Sequence, residues 1–302
     1  MVERKEEEVF EVSDTDVEDV EVDIEEEEET DEGDNVAYEE VDPLFDSSVD
    51  IRERIDNYLG DDKYYTSLIY YNLVTEETIS FNEDIYMDAA SLYKVGLNVV
   101  AYNMVNNYEI TLDDLVYYSP WQFQGGTGIL QYDTSFGSLP LRTLLEYSIV
   151  YSDNIAATMV YSYIGGWTNY KWRLFELLGI DYGNYDNITS ARVEFEILKY
   201  IYDNKESYSE LIYDLKNTDF HDRLDKYLPY EEVAHKIGSD EGYTHDVGIV
   251  FTDEPYIIVM MTDNVYNGPD KIADISKALY LYNKESAPEK ISTGIKPKEY
   301  EY

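Results

Sequence analysis

Ala89-Ala-Ser-Leu-Tyr-Lys-Val-Gly-Leu-Asn-Val-Val-Ala-Tyr-Asn-Met104 is the stretch from which the rest of the chain can be ordered. Leu92, Val95, Val99 and Met104 recur with helical spacing, which predicts a helix opened by Ser91. Ser91 then occupies the first turn, where its Oγ faces the positive end of the helix dipole. Lys94 falls on the same side one turn later, so its amine can reach the hydroxyl. A lysine serves as a base only when neutral, which requires desolvation or a second cation to lower its pKa from about 10.4. Lys236 is the candidate for that second cation.

On either side of this helix the patterning changes. Upstream, Ile51, Ile55 and Tyr58 line one face of a helix that ends near Gly60. Tyr64 to Val74 is dense in Tyr, Ile, Leu and Thr, and a Thr75-Glu-Glu-Thr turn leads to Ile79-Ser-Phe, which predicts two antiparallel strands. From about Ala89 to Asn204 helical signals dominate, with Thr168 and Ser190 as N-caps and Gly179 as a C-terminal stop, so this block reads as all-helical. Strands return at Val233 to Lys236, Asp246 to Thr252 and Tyr256 to Thr262, before a last helix through Ile272, Ile275, Ala278 and Leu279. Sheet elements at both ends and helices between them predict an α/β (α+β) fold. Its antiparallel sheet is flanked by helices, an all-helical lobe is inserted, and a cleft lies at the seam. The lobes are expected at 46–88 with 205–284 and at 89–204.

Charge sets the limits of the folded part. Of 65 Asp and Glu, 22 fall in residues 1–42, with only two of the 22 Lys and Arg, so residues 1–45 read as an acidic disordered tail or stalk. Residues 285–302 read as a second disordered tail. The remainder is still acidic enough to repel phosphate backbones, so nucleic acid is not an expected partner. There is no cysteine, and His221, His235 and His245 fit no familiar metal-ligand spacing, so neither a disulfide nor a metal or other cofactor is expected. No run of 18 apolar residues occurs, and the start Met1-Val-Glu-Arg-Lys-Glu-Glu-Glu shows no export signal.

Two further polar stretches bear on Ser91. Ser152-Asp153-Asn154 joins two helical runs and reads either as a helix cap or as a site loop. In the site reading the Ser152 hydroxyl relays a proton, Asn154 donates its amide to a substrate and Asp153 turns inward to hold the loop. Lys236-Ile237-Gly238-Ser239 ends a strand, where Gly238 allows a ligand backbone to approach and Lys236 attracts a substrate carboxylate. The Ser239 amide pairs with that of Ser91 as an oxyanion hole.

The ordered set Ser-x-x-Lys, Ser-Asp-Asn and Lys-x-Gly resembles that of class A β-lactamases and penicillin-binding proteins. The likeness runs over roughly residues 46–284 and includes Gly126-Thr-Gly128, Leu141-Arg-Thr-Leu-Leu-Glu-Tyr, Gly165-Gly166 and Asp246-Val-Gly-Ile-Val-Phe. It implies a β-lactamase-like fold with Ser91 as acylated nucleophile and Lys94 as base, and with Ser152 and Asn154 as loop groups. Lys236, Gly238 and Ser239 then form the substrate-binding strand. It further implies a small-molecule β-lactam or a D-alanyl cell-wall peptide as substrate, action as a monomer and an extracellular or cell-surface location.

Two departures qualify the resemblance. The family's Glu-x-x-Leu-Asn loop, whose glutamate positions the deacylating water, has no counterpart here, and the shortened segment after Leu178 offers only Asp181 and Asp186. Ile237 stands where the family has Thr or Ser, with Ser239 as partial compensation. The expected function is acyl-enzyme formation with weak deacylation, either as a β-lactamase with another water activator or as a penicillin-binding or peptidase-like enzyme. The alternative is a non-catalytic scaffold of the same fold.

Overall fold

The computed structural model describes residues 42–180 and 186–286. The expectations for the two tails lie outside these residues except at their inner edges. Pro43–Phe45 forms a 3-10 turn that buries Leu44, so it belongs to the folded unit rather than to the acidic tail. Helix α1 (Ile51–Leu59) starts from Asp50, whose carboxylate accepts the Arg52 and Glu53 amides, and ends at Gly60 with φ 54°.

Strands β1 (Thr66–Asn72) and β2 (Thr78–Phe81) pair antiparallel, with Leu68 opposite Phe81. Strand β3 (Tyr86–Asp88) precedes helix α2 (Tyr93–Asn106), which is followed by β4 (Leu115–Tyr117), β5 (Ser138–Pro140), α3 (Leu141–Val150), α4 (Asn154–Tyr163) and α5 (Trp167–Leu178). Next come β6 (Ile188–Ser190), α6 (Ala191–Asp203), α7 (Ser209–Lys216), β7 (Val233–Asp240), β8 (Tyr243–Val250), β9 (Tyr256–Asp263) and α8 (Gly268–Ser286). The main sheet has the order β2-β1-β9-β8-β7, all antiparallel, so strands from the two ends of the domain lie side by side at its centre.

Alternation along each strand divides the core in two. Leu68, Tyr70, Ile258 and Met260 face one way and pack with Ile51 and Ile55 of α1 and Ile272, Ile275 and Leu279 of α8. Ile69, Ile257, Val259 and Met261 face the other way and join Leu97 of α2, Leu144 of α3, Val160 of α4 and Ile201 of α6. With both faces covered, the central strands are buried along nearly their whole length.

The inserted lobe has a helical core, but the expectation that it is all-helical needs correction at its edges. Strand β4 pairs with β5, and β3 pairs with β6, which lies inside the predicted helical block. Three-residue strands hold too little periodicity to be read from a sequence. Thr168 is also not an N-cap. The Gly165–Gly166 pair, both at positive φ, makes the turn, and Gly166 is the cap of an α5 that begins at Trp167. Ser190 does cap α6, accepting the Val193 amide, and Gly179 ends α5 in the left-handed conformation. Among the described residues no helix is long and apolar enough to cross a membrane.

Candidate active site

Ser91 lies in a 3-10 turn, Ala90–Leu92, that runs directly into α2. The turn is held from both sides. The Ala90 amide donates to Asp88 Oδ1 at 2.7 Å, and Asn187 Nδ2 donates to the Ala90 carbonyl at 3.1 Å. Ala90 has φ 46°, a left-handed conformation that a residue with a Cβ keeps only where its surroundings impose it.

Lys94 Nζ is 3.1 Å from Ser91 Oγ, 3.2 Å from Ser152 Oγ, 2.7 Å from Asn154 Oδ1 and 2.6 Å from the Ser152 carbonyl oxygen. Lys94 is fully buried, and this burial, aided by the charge of Lys236, holds its pKa well below the ordinary lysine value. Lys236 Nζ donates to Ser152 Oγ at 2.9 Å and to the Ile237 carbonyl at 3.0 Å. The two lysines therefore meet at one hydroxyl, that of Ser152, itself 1% exposed and at φ 50°.

Asp153 N-caps α4 through the Ala156 amide at 2.9 Å and also accepts the Leu130 amide at 2.7 Å. The cap and the site loop, separate readings in the sequence, are one structure. Thr127 Oγ1 donates to the Ser152 carbonyl at 2.7 Å, which ties the Gly126-Thr-Gly128 segment to the same loop.

Several expectations about individual groups change. Asn154 Nδ2 donates to the Gly125 carbonyl at 2.9 Å, so that part of its amide is already engaged within the protein. Lys236 is fully buried, with its amine directed at Ser152. At Gly238 the close neighbour is the protein itself. A Cβ there would stand 3.1 Å from the Ala89 carbonyl oxygen and Leu92 Cγ, so the missing side chain is what lets the Ser91 turn abut β7. Ser239 is exposed at the end of β7, and its Oγ accepts from Arg223 at 2.6 Å.

Arg223 carries no sequence signal that would mark it. Its guanidinium also donates to the carbonyls of Gly238 at 2.9 Å and His245 at 2.7 Å, so it braces the strand edge beside Ser91. The fork of donors of an arginine suits this three-way contact. Nearby in the chain, Phe220 places a ring 5.7 Å from Lys236 Nζ. Neither residue lies in a recognisable pattern, and only the return of the 217–229 segment to β7 brings them to the site.

Ser91, Asn154 and Ser239 open on a cleft of about 370 Å³ whose walls also include Tyr93, Gln124 and Thr127. Among the described residues lining it, Asp240 is the single carboxylate. Asp186 is exposed and does not line the cleft, and Asp181 lies outside the described residues. Glu194, buried near Lys171, keeps its proton up to about 7 because burial outweighs the attraction of that lysine, but it too stands away from the cleft.

A helical lobe set into an antiparallel sheet, with a serine, two lysines and a polar loop converging at the seam, defines the class of serine β-lactamase-like and penicillin-binding hydrolases. A profile of the Beta-lactamase enzyme family matches residues 50–283, and the chain belongs to that family. Among solved structures, PBP-A is similar with a TM-score of 0.70 at 22% identity, over 78% of this chain and 96% of that one. A β-lactamase from Chitinophaga pinensis is similar with a TM-score of 0.69 at 22% identity, over 77% and 98%. TLA-1 extended-spectrum β-lactamase is similar with a TM-score of 0.68 at 21% identity, over 77% and 97%. At these identities the likeness is one of fold. No curated protein matches the chain.

Proposed function

We propose that this protein is a serine acyltransferase-type hydrolase that forms an acyl-enzyme at Ser91 with β-lactams or D-alanyl cell-wall amides and releases it slowly. The observation that carries this reading is the unbroken line Ser91 Oγ, Lys94 Nζ, Ser152 Oγ, Lys236 Nζ, with each step between 2.9 and 3.2 Å and both amines out of contact with water.

The chemistry follows from how many protons each group can place. A neutral Lys94 has two N–H bonds, and the Ser152 carbonyl and Asn154 Oδ1, its two shortest contacts, take both. Its lone pair is left for the Ser91 hydroxyl. As Ser91 Oγ bonds to the substrate carbonyl carbon, its proton passes to Lys94. The carbonyl oxygen gains the negative charge and is met by the main-chain amides of Ser91 and Ser239. Collapse breaks the C–N bond. The departing nitrogen takes its proton from the Ser152 hydroxyl, which is resupplied from the now charged Lys94, while Lys236 stabilises the oxygen in passing.

Deacylation needs a base for water, and general-base assistance contributes about 10²- to 10⁴-fold. Asp240 is exposed at the end of β7, an arrangement that supports a persistent acyl-enzyme over rapid antibiotic hydrolysis. A mutant of the similar PBP-A has been captured as an acyl-enzyme complex with penicillin G, which makes a penicillin the natural probe.

Incubation with a fluorescent penicillin followed by intact mass spectrometry tests the reading. One adduct, mapped to Ser91 and absent from Ser91→Ala, is expected, with turnover of a chromogenic cephalosporin far slower than labelling. A folded wild-type chain that takes up no label refutes it and favours a non-catalytic scaffold. The substrate class also implies a monomer acting at the cell surface, which gel filtration and cell fractionation test.

A further inference from the structure

Strand β7 carries a second cluster on its other face. Neighbouring strand residues project to opposite sides, so His235 points away from the face on which Lys236 reaches Ser152. There it meets His221 and Asp225, which come from the segment between α7 and β7. One ligand atom from each of His221, Asp225 and His235 lies within 4.8 Å of the others. The three histidines show no metal-ligand spacing in sequence, and folding brings two of them to one carboxylate.

The proton arrangement leaves a gap in this cluster. His235 Nδ1 is 2.9 Å from both oxygens of Asp246, and Asp246 Oδ2 also accepts the Leu224 amide at 3.0 Å. Nε2 stands 3.2 Å from Asp225 Oδ2, at an angle too poor for a well-formed hydrogen bond. Asp225 Oδ1 is likewise buried without a hydrogen-bond partner. The side chains of Asp225 and His235 are 2% and 1% exposed. A buried imidazole nitrogen beside a buried carboxylate calls for a cation between them. Without an ion that cation is a proton. A metal competes for the same lone pair, and unlike a proton it can also engage His221.

We propose that His221, Asp225 and His235 form a divalent transition-metal site, with Zn²⁺ as its fitting occupant. Two imidazoles and one carboxylate are a zinc-type donor set, with ligand distances of about 2.0–2.2 Å. Atoms sharing such an ion tetrahedrally stand about 3.4 Å apart, close to the His235–Asp225 separation. Asp246 behind His235 Nδ1 is the outer carboxylate that fixes a metal-ligating tautomer. Charge balances as well, since one divalent ion offsets Asp225 and Asp246 with both imidazoles neutral.

His221 contacts Asp225 directly and must yield to admit the ion. Its side chain is 36% exposed and its ring stacks on Tyr230 with centroids 4.3 Å apart, so it can slide without disturbing the core. The fourth position then opens toward solvent. Such an ion pins the segment bearing Arg223 to β7 and stiffens the cleft edge. The hydrolytic reading does not depend on it.

The test uses the full chain, stripped with a chelator and titrated with Co²⁺ and then Zn²⁺. Expected are one tightly bound Co²⁺ with the visible absorption of a four- or five-coordinate nitrogen-ligated ion, its displacement by one Zn²⁺, and a higher Tm with Zn²⁺. His221→Ala should fold, with a metal-free Tm somewhat lowered by loss of the Asp225 and Tyr230 contacts, and weaken binding at least about 10-fold, and Asp225→Asn should weaken it similarly. A six-coordinate, carboxylate-only Co²⁺ spectrum in the wild type overturns the proposal, as does equal affinity in wild type and either folded variant.

Discussion

Replacing Gly238 by alanine probes the contact on which the geometry of Ser91 depends. The added Cβ would stand 3.1 Å from the Ala89 carbonyl oxygen, 3.1 Å from Leu92 Cγ and 3.2 Å from His245 Cδ2. None of the three can yield freely. Ala89 is main chain, Leu92 is buried, and His245 is held by the Asp88 carbonyl at 2.8 Å and the Thr262 amide at 3.2 Å. Ordinary contact is restored only if the Ser91 turn and β7 part by a few tenths of an ångström. Overpacking of this kind costs about 1–3 kcal/mol, less than the stability of about 5–15 kcal/mol usual for a folded domain, so the variant should fold with a lowered Tm. A misplacement of about 1 Å at reacting groups costs about 10²-fold in rate, so a few tenths should slow acylation by about 5- to 10-fold. Second-order labelling by a fluorescent penicillin, read beside thermal denaturation, measures both effects. A Gly238→Ala protein with wild-type labelling and wild-type Tm would refute the tight seam between turn and strand.

Three other outcomes follow from the site and its surroundings. Lys94→Ala should slow formation of the Ser91 adduct by about 10²- to 10⁴-fold, and wild-type labelling should fall as pH drops through the depressed pKa of Lys94, well below 10.5, because only the neutral amine accepts the proton. Arg223→Ala removes the guanidinium donors to the carbonyls of Gly238 and His245, and chemical denaturation should show a loss of about 1–3 kcal/mol. Glu194 holds its proton up to about 7 in the folded chain against 4.5 ordinarily, so the folded state binds more protons between those values and stability falls as pH rises across them. Glu194→Gln should flatten that fall in denaturation curves taken between about pH 5 and 7.

Much of the fold was legible because its signals are local. Ile51 and Ile55 sit one turn apart and both are buried, with Tyr58 half-buried on the same face, and the dense run of Tyr, Ile and Leu through Leu68 to Tyr71 marks a strand whichever partner it finds. The pairing of Ser91 with Lys94 is equally local, a matter of one helical turn. The short strands β3 to β6 were not legible, since three residues carry no period and their pairing comes from the opposing segment.

Within the site, the residue types were legible and several of their directions were not. Lys236 was legible as a cation of the site, but that the packing of β7 against the Ser152 loop buries it was not. Arg223 and Phe220 belong to no motif, and their place beside β7 emerges only when the segment after α7 returns to the sheet.

By itself, then, the order of residues determined which of the longer segments are helix or strand, which serine has a lysine one turn away, and which family the chain resembles, because these depend on neighbours a few positions apart. Tertiary structure alone decided that Lys94 and Lys236 share the Ser152 hydroxyl, that Gly238 makes room for the turn of Ser91, and that His221 and His235 converge on Asp225. Lys236 and Ser152 stand 84 positions apart in the chain, and their meeting is set by strand register and packing, which no local pattern encodes.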